Sequence, residues 1–330
     1  MSAPDGKRDL DVLSFGEALV DFFPERAGLP LSECDVFHRQ LGGAPANVAV
    51  GLARLGARVG LMTLVGPDAF GTFVRDRLAA EGVDVRGIGV HRTAKTGVTF
   101  VSVGAHGERS FLFFRHPSAD QMIAEHDVDE AQLSRARVVH VGSSTLAREP
   151  SRAATLRALA AAKRAGCLVS TDPNWRAHLW ENPAEAAPML QALVSQCDIV
   201  KISDDELAPL CGVTDPEEGA KKLRALGPAL VVVTLGARGC YVEHAAGHDW
   251  LPGERVAVVD TTGAGDGFVA GLLATLAPAF RDGRRPADLS LDEIRAACRT
   301  GNKIGAAVVT RLGATTGLPA RGEFVVRGLA

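Results

Sequence analysis

The sequence lacks the features that mark several whole classes of protein. No uninterrupted apolar run reaches the ~20 residues that a membrane-spanning helix needs. The longest uncharged stretch with a helical pattern, Gly267 to Phe280, ends short of that and reads as a buried core helix. The polar opening, Met1 to Asp11, has no apolar centre of a secretory signal, so no signal is expected. Net charge is −3 and the Lys and Arg residues are scattered, so the basic stripe of a nucleic-acid binder is missing. The six cysteines lie far apart with no CxxC pair. That spacing argues against disulfides and structural zinc, and for a reducing, cytoplasmic setting. The nine histidines form no HxxxH or other zinc-ligand cluster. Internal repeats and low-complexity linkers are absent too.

What is present is a large apolar fraction, 46%, enough for a sizeable core. From residue 45 onward, apolar β-branched runs alternate with helical periodicity. Pro45 to Leu55 reads as a helix with proline in its first turn. Arg58 to Val65 reads as a strand. Ala69 to Ala80 reads as a helix with Phe70, Phe73, Val74 and Leu78 on one face. Arg137 to Val141, Cys167 to Thr171, Ile199 to Ile202 and Ala229 to Thr234 read as short buried strands, with an alanine-rich helix over Ser151 to Ala165. Ser290 and Glu293 form a capping-box signature opening a long helix. The alternation predicts a central, mostly parallel sheet with helices on both faces.

Two stretches break this rhythm. Leu19 to Phe23 and Val36 to Leu41 are strand-like with no helix between them. Gly97 to Val103 and Arg109 to Phe114 alternate around a turn at Ala105-His106-Gly107, a hairpin signal. They predict a small antiparallel sheet outside the main one. Phe111, Phe113 and Phe114 place aromatics on both of its faces. One face is expected to close over a substrate and the other to meet a second subunit; simple packing on the main domain is the other reading.

The most informative segment is Asp260-Thr261-Thr262-Gly263-Ala264-Gly265-Asp266. A strand-like run, Val256 to Val259, precedes it and a helix follows. A glycine turn at a helix N-terminus offers unpaired amides and roughly half a positive charge to an anion. A dinucleotide fingerprint fits only partly, and the Walker Gly-Lys-Ser/Thr is absent. An anion hole with a carboxylate beside it suits transfer of a phosphoryl group to an alcohol. Gly263, Ala264 and Gly265 would hold the transferring group, and Asp266 would take the hydroxyl proton as the bond forms. The second marked segment, Leu41-Gly42-Gly43-Ala44-Pro45-Ala46-Asn47, also precedes a helix. Asn47 in its first turn can donate and accept, which suits sugar hydroxyls.

Together the two glycine segments resemble the signature motifs of the ribokinase-like, phosphofructokinase-B-type carbohydrate kinases. The resemblance runs from Phe15-Gly16-Glu17 to Thr310-Arg311-Leu312-Gly313-Ala314. It is closest to the fructokinase branch, through Gly16-Glu17-Ala18-Leu19-Val20-Asp21, Arg115-His116-Pro117-Ser118-Ala119-Asp120, Asp172-Pro173-Asn174-Trp175-Arg176 and Lys201-Ile202-Ser203-Asp204-Asp205-Glu206. The resemblance implies one ribokinase-like α/β/α domain over residues 1–330, with lid segments at about 18–41 and 95–116. It implies that Asp266 is the base, with Gly263, Ala264 and Gly265 as the anion hole. Asp21, Gly42, Gly43 and Asn47 would hold sugar hydroxyls. Arg115 would reach the open edge of the substrate, the position where related keto-sugar-acid kinases meet a carboxylate. His116 would touch substrate.

Arg176, grouped with the substrate residues, is also the candidate cation for the nucleotide phosphates. Trp175 reads as core. Lys201, Thr234, Gly236, Gly239, Gly265 and Asn302 would line the nucleotide. Glu206 matches half of the family's Asn-x-x-Glu, so Mg²⁺ is expected to come with ATP and meet Glu206 through water. Asp260 and Thr262, with the turn near Gly313, resemble a K⁺ site found in some members. The activity implied is ATP-dependent phosphorylation of a primary hydroxyl, foremost the 6-hydroxyl of fructose. 2-Keto-3-deoxygluconate, an inositol-catabolism keto acid and a riboside are alternative acceptors. A catalytically silent sugar- or nucleotide-binding regulator and a dehydrogenase are the readings from other classes. A homodimer through the lid is also implied.

Overall fold

The computed structural model describes residues 8–26, 28–103, 109–115, 117–180, 182–320 and 323–324. The chain opens with β1 (Leu10–Phe15), β2 (Leu19–Pro24), β3 (Phe37–Gly42), α1 (Ala44–Arg54), β4 (Val59–Val65), α2 (Ala69–Ala80) and β5 (Ile88–Val90). β6 (Val98–Val103) and β7 (Arg109–Phe114) follow, then α3 (Glu130–Ser134), β8 (Ala136–Val141), α4 (Ser151–Arg164), β9 (Leu168–Thr171) and α5 (Pro183–Val194). The last third contains β10 (Ile199–Ser203), α6 (Leu207–Cys211), α7 (Pro216–Ala225), β11 (Leu230–Thr234), β12 (Cys240–His244), β13 (Gly247–Leu251), α8 (Ala264–Arg281) and α9 (Leu291–Val308).

Nine strands form one sheet in the order β13-β12-β11-β10-β9-β8-β1-β4-β5. Every pairing from β5 to β11 is parallel; β12 and β13 add an antiparallel edge. Alternate side chains feed two cores. Val12, Val59, Val138 and Ile199 meet α1, α8 and α9 on one face. Leu13, Val139, Val200 and Val231 meet α4, α5 and α7 on the other. This is the three-layer α/β/α sandwich that the alternation predicts. The order reverses at β1: β4 and β5 extend one way, β8 to β13 the other. Open α/β sheets bind ligands outside the carboxyl ends of their strands at such a switch point.

The four remaining strands form a second sheet, β3-β2-β6-β7. β2–β3 and β6–β7 are antiparallel as expected, but β2–β6 is parallel. The turn expected at 105–107 lies outside the described residues, as does the Phe111 side chain. Asp21 and Thr99 are register partners on the face turned to the main domain, and Thr99 in turn pairs with Phe113. The opposite face carries Phe22 stacked on Phe100, ring centroids 5.1 Å apart, with Phe37 and Phe114 edge-on to Phe100. Phe114, on that face, is 59% exposed.

α1 and α8 approach unusually closely. A Cβ on Gly51 would lie 2.6 Å from the Cβ of Ala270, so only glycine fits. One turn nearer the N-termini, Asn47 and Asp266 face each other. The far end of α8 is pinned by Arg281, whose Nε and Nη2 donate to Asp11 of β1 at 2.7 and 2.6 Å. Burial pushes the Asp11 carboxyl up, but Arg281 and Arg58 outweigh it and hold it down to about 2. Gly51→Val is expected to destabilise the fold by about 1–3 kcal/mol through overpacking, read as a lower midpoint in urea. An unchanged midpoint would show that the α1–α8 contact is slack.

Candidate active site

The turn before α8 is held open from behind. Asp260 Oδ1 accepts from Thr262 N at 3.0 Å and Oγ1 at 2.8 Å, and its Oδ2 accepts from Gly313 N at 2.7 Å. Gly263 is left-handed at φ 78°, and a Cβ there would sit 2.7 Å from Ala314 Cα. The run 256–259 is not a strand. Val256, Val258 and Val259 are exposed, and the segment is tied down where Val259 and Asp260 donate to Val309 O. Its apolar character belongs to a cavity wall, which strand-like composition does not distinguish from a core. α8 therefore begins at Ala264, with Asp266 in its first turn.

Asp266 is 7% exposed and accepts from Asn47 Nδ2 at 2.8 Å. Burial pushes its carboxyl up to about 7; Asp172 and Glu17 add repulsion, while Asn47 and Lys201 favour the charged form. Asn47 Oδ1 is buried with no partner among the described residues. An orphaned acceptor beside a buried carboxylate calls for an external hydroxyl.

A cleft of about 360 Å³ opens in front of this pair. Glu17, Gly142, Asp172 and Ser203 contribute to it from segments following the carboxyl ends of β1, β8 and β9 and from the end of β10. The second sheet adds Asp21, Thr99 and Phe113. Burial pushes Asp21 up to about 7. Gly42 does not line the cleft; a Cβ there would lie 2.2 Å from Asp21 Oδ2, so its part is to leave room for that carboxylate. Gly43, at φ 98°, does line it and starts α1. Glu17 accepts from Ala44 N at 3.3 Å and from Ser144 Oγ, and burial raises its pKa. Arg115 is 4% exposed and paired with Asp120, so it is no surface arginine. His116 lies outside the described residues.

Lys201, expected beside the nucleotide, instead lines this first cleft. Its Nζ donates to Asp172 Oδ2 at 2.8 Å, and Asp172 Oδ1 has no partner. A Cβ on Gly265 would sit 2.8 Å from the Lys201 Nζ, so the glycine brings the helix end down onto the ion pair. Arg176 is exposed at the cleft wall and donates to Trp175 O at 3.3 Å. Trp175 packs against the core, as expected. Glu206 accepts from Trp175 N at 2.6 Å and from Ser203 N and Oγ at 2.9 and 2.8 Å.

A second cavity of about 340 Å³ shares Thr261, Ala264 and Gly265 with the first. Thr234, Gly236, Gly239 and Asn302 all line it, as expected for a nucleotide site. Asn302 is buried, not solvated, and its Nδ2 donates to Pro252 O at 3.1 Å. Gly239 has φ 101°, and a Cβ there would lie 2.0 Å from Leu251 O. Val256, Val258, Phe268 and Ala306 make one apolar wall.

Glu17, Thr99, Ser144, Asp172 and Asn174 line the first cleft without being assigned a role from the sequence, and Phe113 lines it on the sheet face expected to close over a substrate. Thr99 and Phe113 were reachable from the period-two alternation that puts them on the face of Asp21. Asp172 and Asn174 stand inside a quoted segment, and Asn174 has a positive φ of 46°, a strain that clusters at functional sites.

Two cavities that meet at one glycine-rich helix N-terminus, with a buried carboxylate at the junction, define a two-substrate phosphotransferase on an α/β/α frame. The model of the pfkB family carbohydrate kinase matches residues 9–321, and the chain belongs to that family. It is 41% identical over 317 residues to a probable fructokinase-7 of Arabidopsis thaliana, spanning 93% of this chain and 89% of that protein. A fructokinase double mutant from Vibrio cholerae O395, in a fructose, ADP and potassium ion bound form, superposes with a TM-score of 0.86 at 35% identity, covering 96% of this chain and 98% of that one. The aminoimidazole riboside kinase of Salmonella enterica, complexed with its riboside and an ATP analog, reaches 0.82 at 31% identity, covering 96% and 99%.

Gly42→Ala tests the space made for Asp21. Displacing that carboxylate removes charge-assisted hydrogen bonds and is expected to raise KM for the acceptor about tenfold or more. KM for the nucleotide should stay within about twofold, a spread equivalent to ~0.4 kcal/mol. Equal effects on both would show general damage.

Proposed function

We propose that the protein transfers the γ-phosphoryl group of ATP to a primary hydroxyl of a sugar, and that the sugar is fructose, phosphorylated at its 6-hydroxyl. The observation that carries this reading is the meeting of the two cavities at Ala264 and Gly265, directly beside Asp266. Fructokinases among the most similar relatives support the choice of fructose. A riboside is the second acceptor class, favoured by the Salmonella relative.

Asp266 accepts the hydroxyl proton as the new bond forms. An unperturbed aspartate, at ~3.9, is a weak base; one raised to about 7 is matched to neutral pH. The Gly263, Ala264 and Gly265 backbone holds the transferring group at the positive end of α8. Asn47 and Asp21 orient the acceptor through its hydroxyls, with Gly43 giving the backbone close access. Thr234, Gly236, Gly239 and Asn302 hold the nucleotide, and Arg176 reaches toward its phosphates. Lys201 balances Asp172 at the junction.

The described residues contain no group of three or more His, Cys, Asp or Glu able to hold a metal. Glu206 already accepts three hydrogen bonds and can meet Mg²⁺ only through water. Mg²⁺ would enter with ATP and would supply neutralisation of phosphate charge, with Glu206 meeting it through water. Asp260 and Thr262 clasp the Gly313 turn, which suits a frame for K⁺ held by backbone carbonyls.

The second sheet acts as a lid, and its outer Phe37, Phe100 and Phe114 face is where two lids pair in a homodimer. No described helix is long and apolar enough to cross a membrane. All six cysteines are unpaired, which suits a reducing cytoplasm.

A coupled ADP-release assay over fructose, 2-keto-3-deoxygluconate and ribosides tests the chemistry. Fructose is expected to give the highest kcat/KM. For the free enzyme kcat/KM should rise with pH through about 7, because Asp266 must be ionised to take the proton. Asp266→Asn should lose at least about 10²-fold in kcat, and that acid limb with it. Absence of turnover with any of the sugars, despite ATP binding, would favour a silent regulator; NAD binding in place of ATP would favour a dehydrogenase. Light scattering at micromolar concentration should give twice the chain mass, and a strictly monomeric mass would remove the lid-to-lid dimer.

A further inference from the structure

Arg115 stands at the acceptor end of the cleft, between Phe114 at the end of β7 and the described segment from Pro117. Its guanidinium is almost wholly withdrawn from solvent, and Nη2 donates to Asp120 Oδ2. Arg115 Nε is buried with no partner among the described residues. Asp120 is itself 1% exposed and does not line the cleft. Its Oδ1 accepts from Ser118 Oγ at 2.6 Å. Space for it is reserved: a Cβ on Gly97 would come within 3.2 Å of that oxygen. Two carboxylates of the cleft wall, Glu17 and Asp21, share the field of the same guanidinium. Among the described residues Arg115 faces three carboxylates, one of them bonded to it directly. Lys201, the other buried cation of the cleft, is spent on Asp172.

We propose that Asp120 is a specificity-determining residue: by neutralising Arg115 it makes the acceptor site fit neutral polyhydroxylated sugars and turn away carboxylated ones. The inference rests on reading this cleft as the sugar site. A neutral sugar donates hydroxyl hydrogen bonds to Asp21 and Glu17 and asks nothing of Arg115. A sugar acid brings a further negative charge into a region already negative, where the guanidinium's charge is already matched by Asp120. Removing Asp120 while leaving Arg115 buried takes away its directly bonded carboxylate, and a buried cation that has lost its bonded partner is unfavourable until another anion takes that place. A carboxylate on the ligand would supply that anion. Asp120 touches no substrate atom and acts only through Arg115, so its effect falls on the choice of acceptor.

The test compares the wild type with Asp120→Asn, which keeps the shape and the Ser118 contact but removes the charge. Fructose and 2-keto-3-deoxygluconate are the probes. Steady-state kcat and KM are measured for both, Kd for both by calorimetry, and Tm for each variant. The wild type should bind fructose more tightly than the keto acid. In Asp120→Asn the preference in both Kd and kcat/KM should shift toward the keto acid by about tenfold or more, the fold-change of one charge pair gained or lost. The shift should lie in KM and Kd, because a merely structural defect lowers kcat for both substrates alike. A preference within about twofold of wild type, which is ~0.4 kcal/mol, at an unchanged Tm would overturn the proposal. So would a wild type that binds both equally. Should Asp120→Asn melt early, the same Kd comparison is made on Asp120→Ser, which also removes the charge and is expected to shift the preference the same way; no shift there overturns the proposal. Because Kd is read without turnover, the inference can fail while fructose phosphorylation stands. A wild type inactive on every sugar would instead sink the proposed function.

Discussion

Asn47 and Asp266 lie 219 residues apart in sequence and 2.8 Å apart in space, and much of the molecule serves that single hydrogen bond. A carboxylate taken out of water needs donors, or it neutralises. Here one amide donor is supplied by α1 and the first turn of α8 frames the group. Neither helix could bring its residue in without the close approach one turn further on, at Gly51 and Ala270. The other end of α8 is fixed to β1 through Arg281 and Asp11. The helix is therefore located at both ends by different physics: packing without a side chain at one, a buried ion pair at the other. Burial raises this carboxyl to about 7 against the pull of the Asn47 bond, which suits the proton acceptor proposed for it.

The same economy of charge recurs around it. Lys201 with Asp172 and Arg115 with Asp120 are buried pairs, each leaving a buried polar atom without a partner in Asp172 Oδ1 and Arg115 Nε. A buried pair with leftover hydrogen-bonding capacity is a poor stabiliser of a fold. It is a reasonable component of a site, where ligand atoms complete the set. Glu206 and Asp260 are the contrast. Their oxygens are met by backbone and hydroxyl donors from within the chain, so they hold loops in place. Carboxylates that look equivalent along the chain thus divide by whether the fold satisfies them.

That division explains what could and could not be read in advance. Periodicity located α2 residue for residue, and continuous apolar, β-branched runs placed β4 and β8 to β11 within a residue or two. β1 is as fully buried as β4, but Asp11 and Ser14 interrupt its apolar run, and the three-residue β5 is too short to leave an imprint. Residues 256–259 erred the other way. Their valines mimic a strand, yet Val256 and Val258 wall a cavity. The glycine motifs announced the anion site because helix N-terminus chemistry is local. Gly42 was misjudged as a contact, because the carboxylate it accommodates comes from a neighbouring strand and only the fold brings them together. The burial of Arg115 and Asn302 was hidden for the same reason: a charged or amide side chain carries no sequence mark of what will cover it.

Reaction and substrate choice also occupy mechanically different parts of the molecule. The transfer site sits at the end of α8, wedged between α1 and α9, where a shift of a few tenths of an ångström would meet backbone. The cleft-lining residues Asp21, Thr99 and Phe113 sit on a four-stranded sheet whose far face is largely its own aromatic cluster. Side chains on such a sheet can change alternately, inward for the ligand and outward for the cluster, without disturbing the helix end. Glycine at 42 and at 97 fits this scheme, since each leaves room beside a carboxylate, Asp21 and Asp120 respectively. On the proposed reading, acceptor choice would be set by where charge sits at the edge of a rigid helix end, separately from the packing that fixes α8.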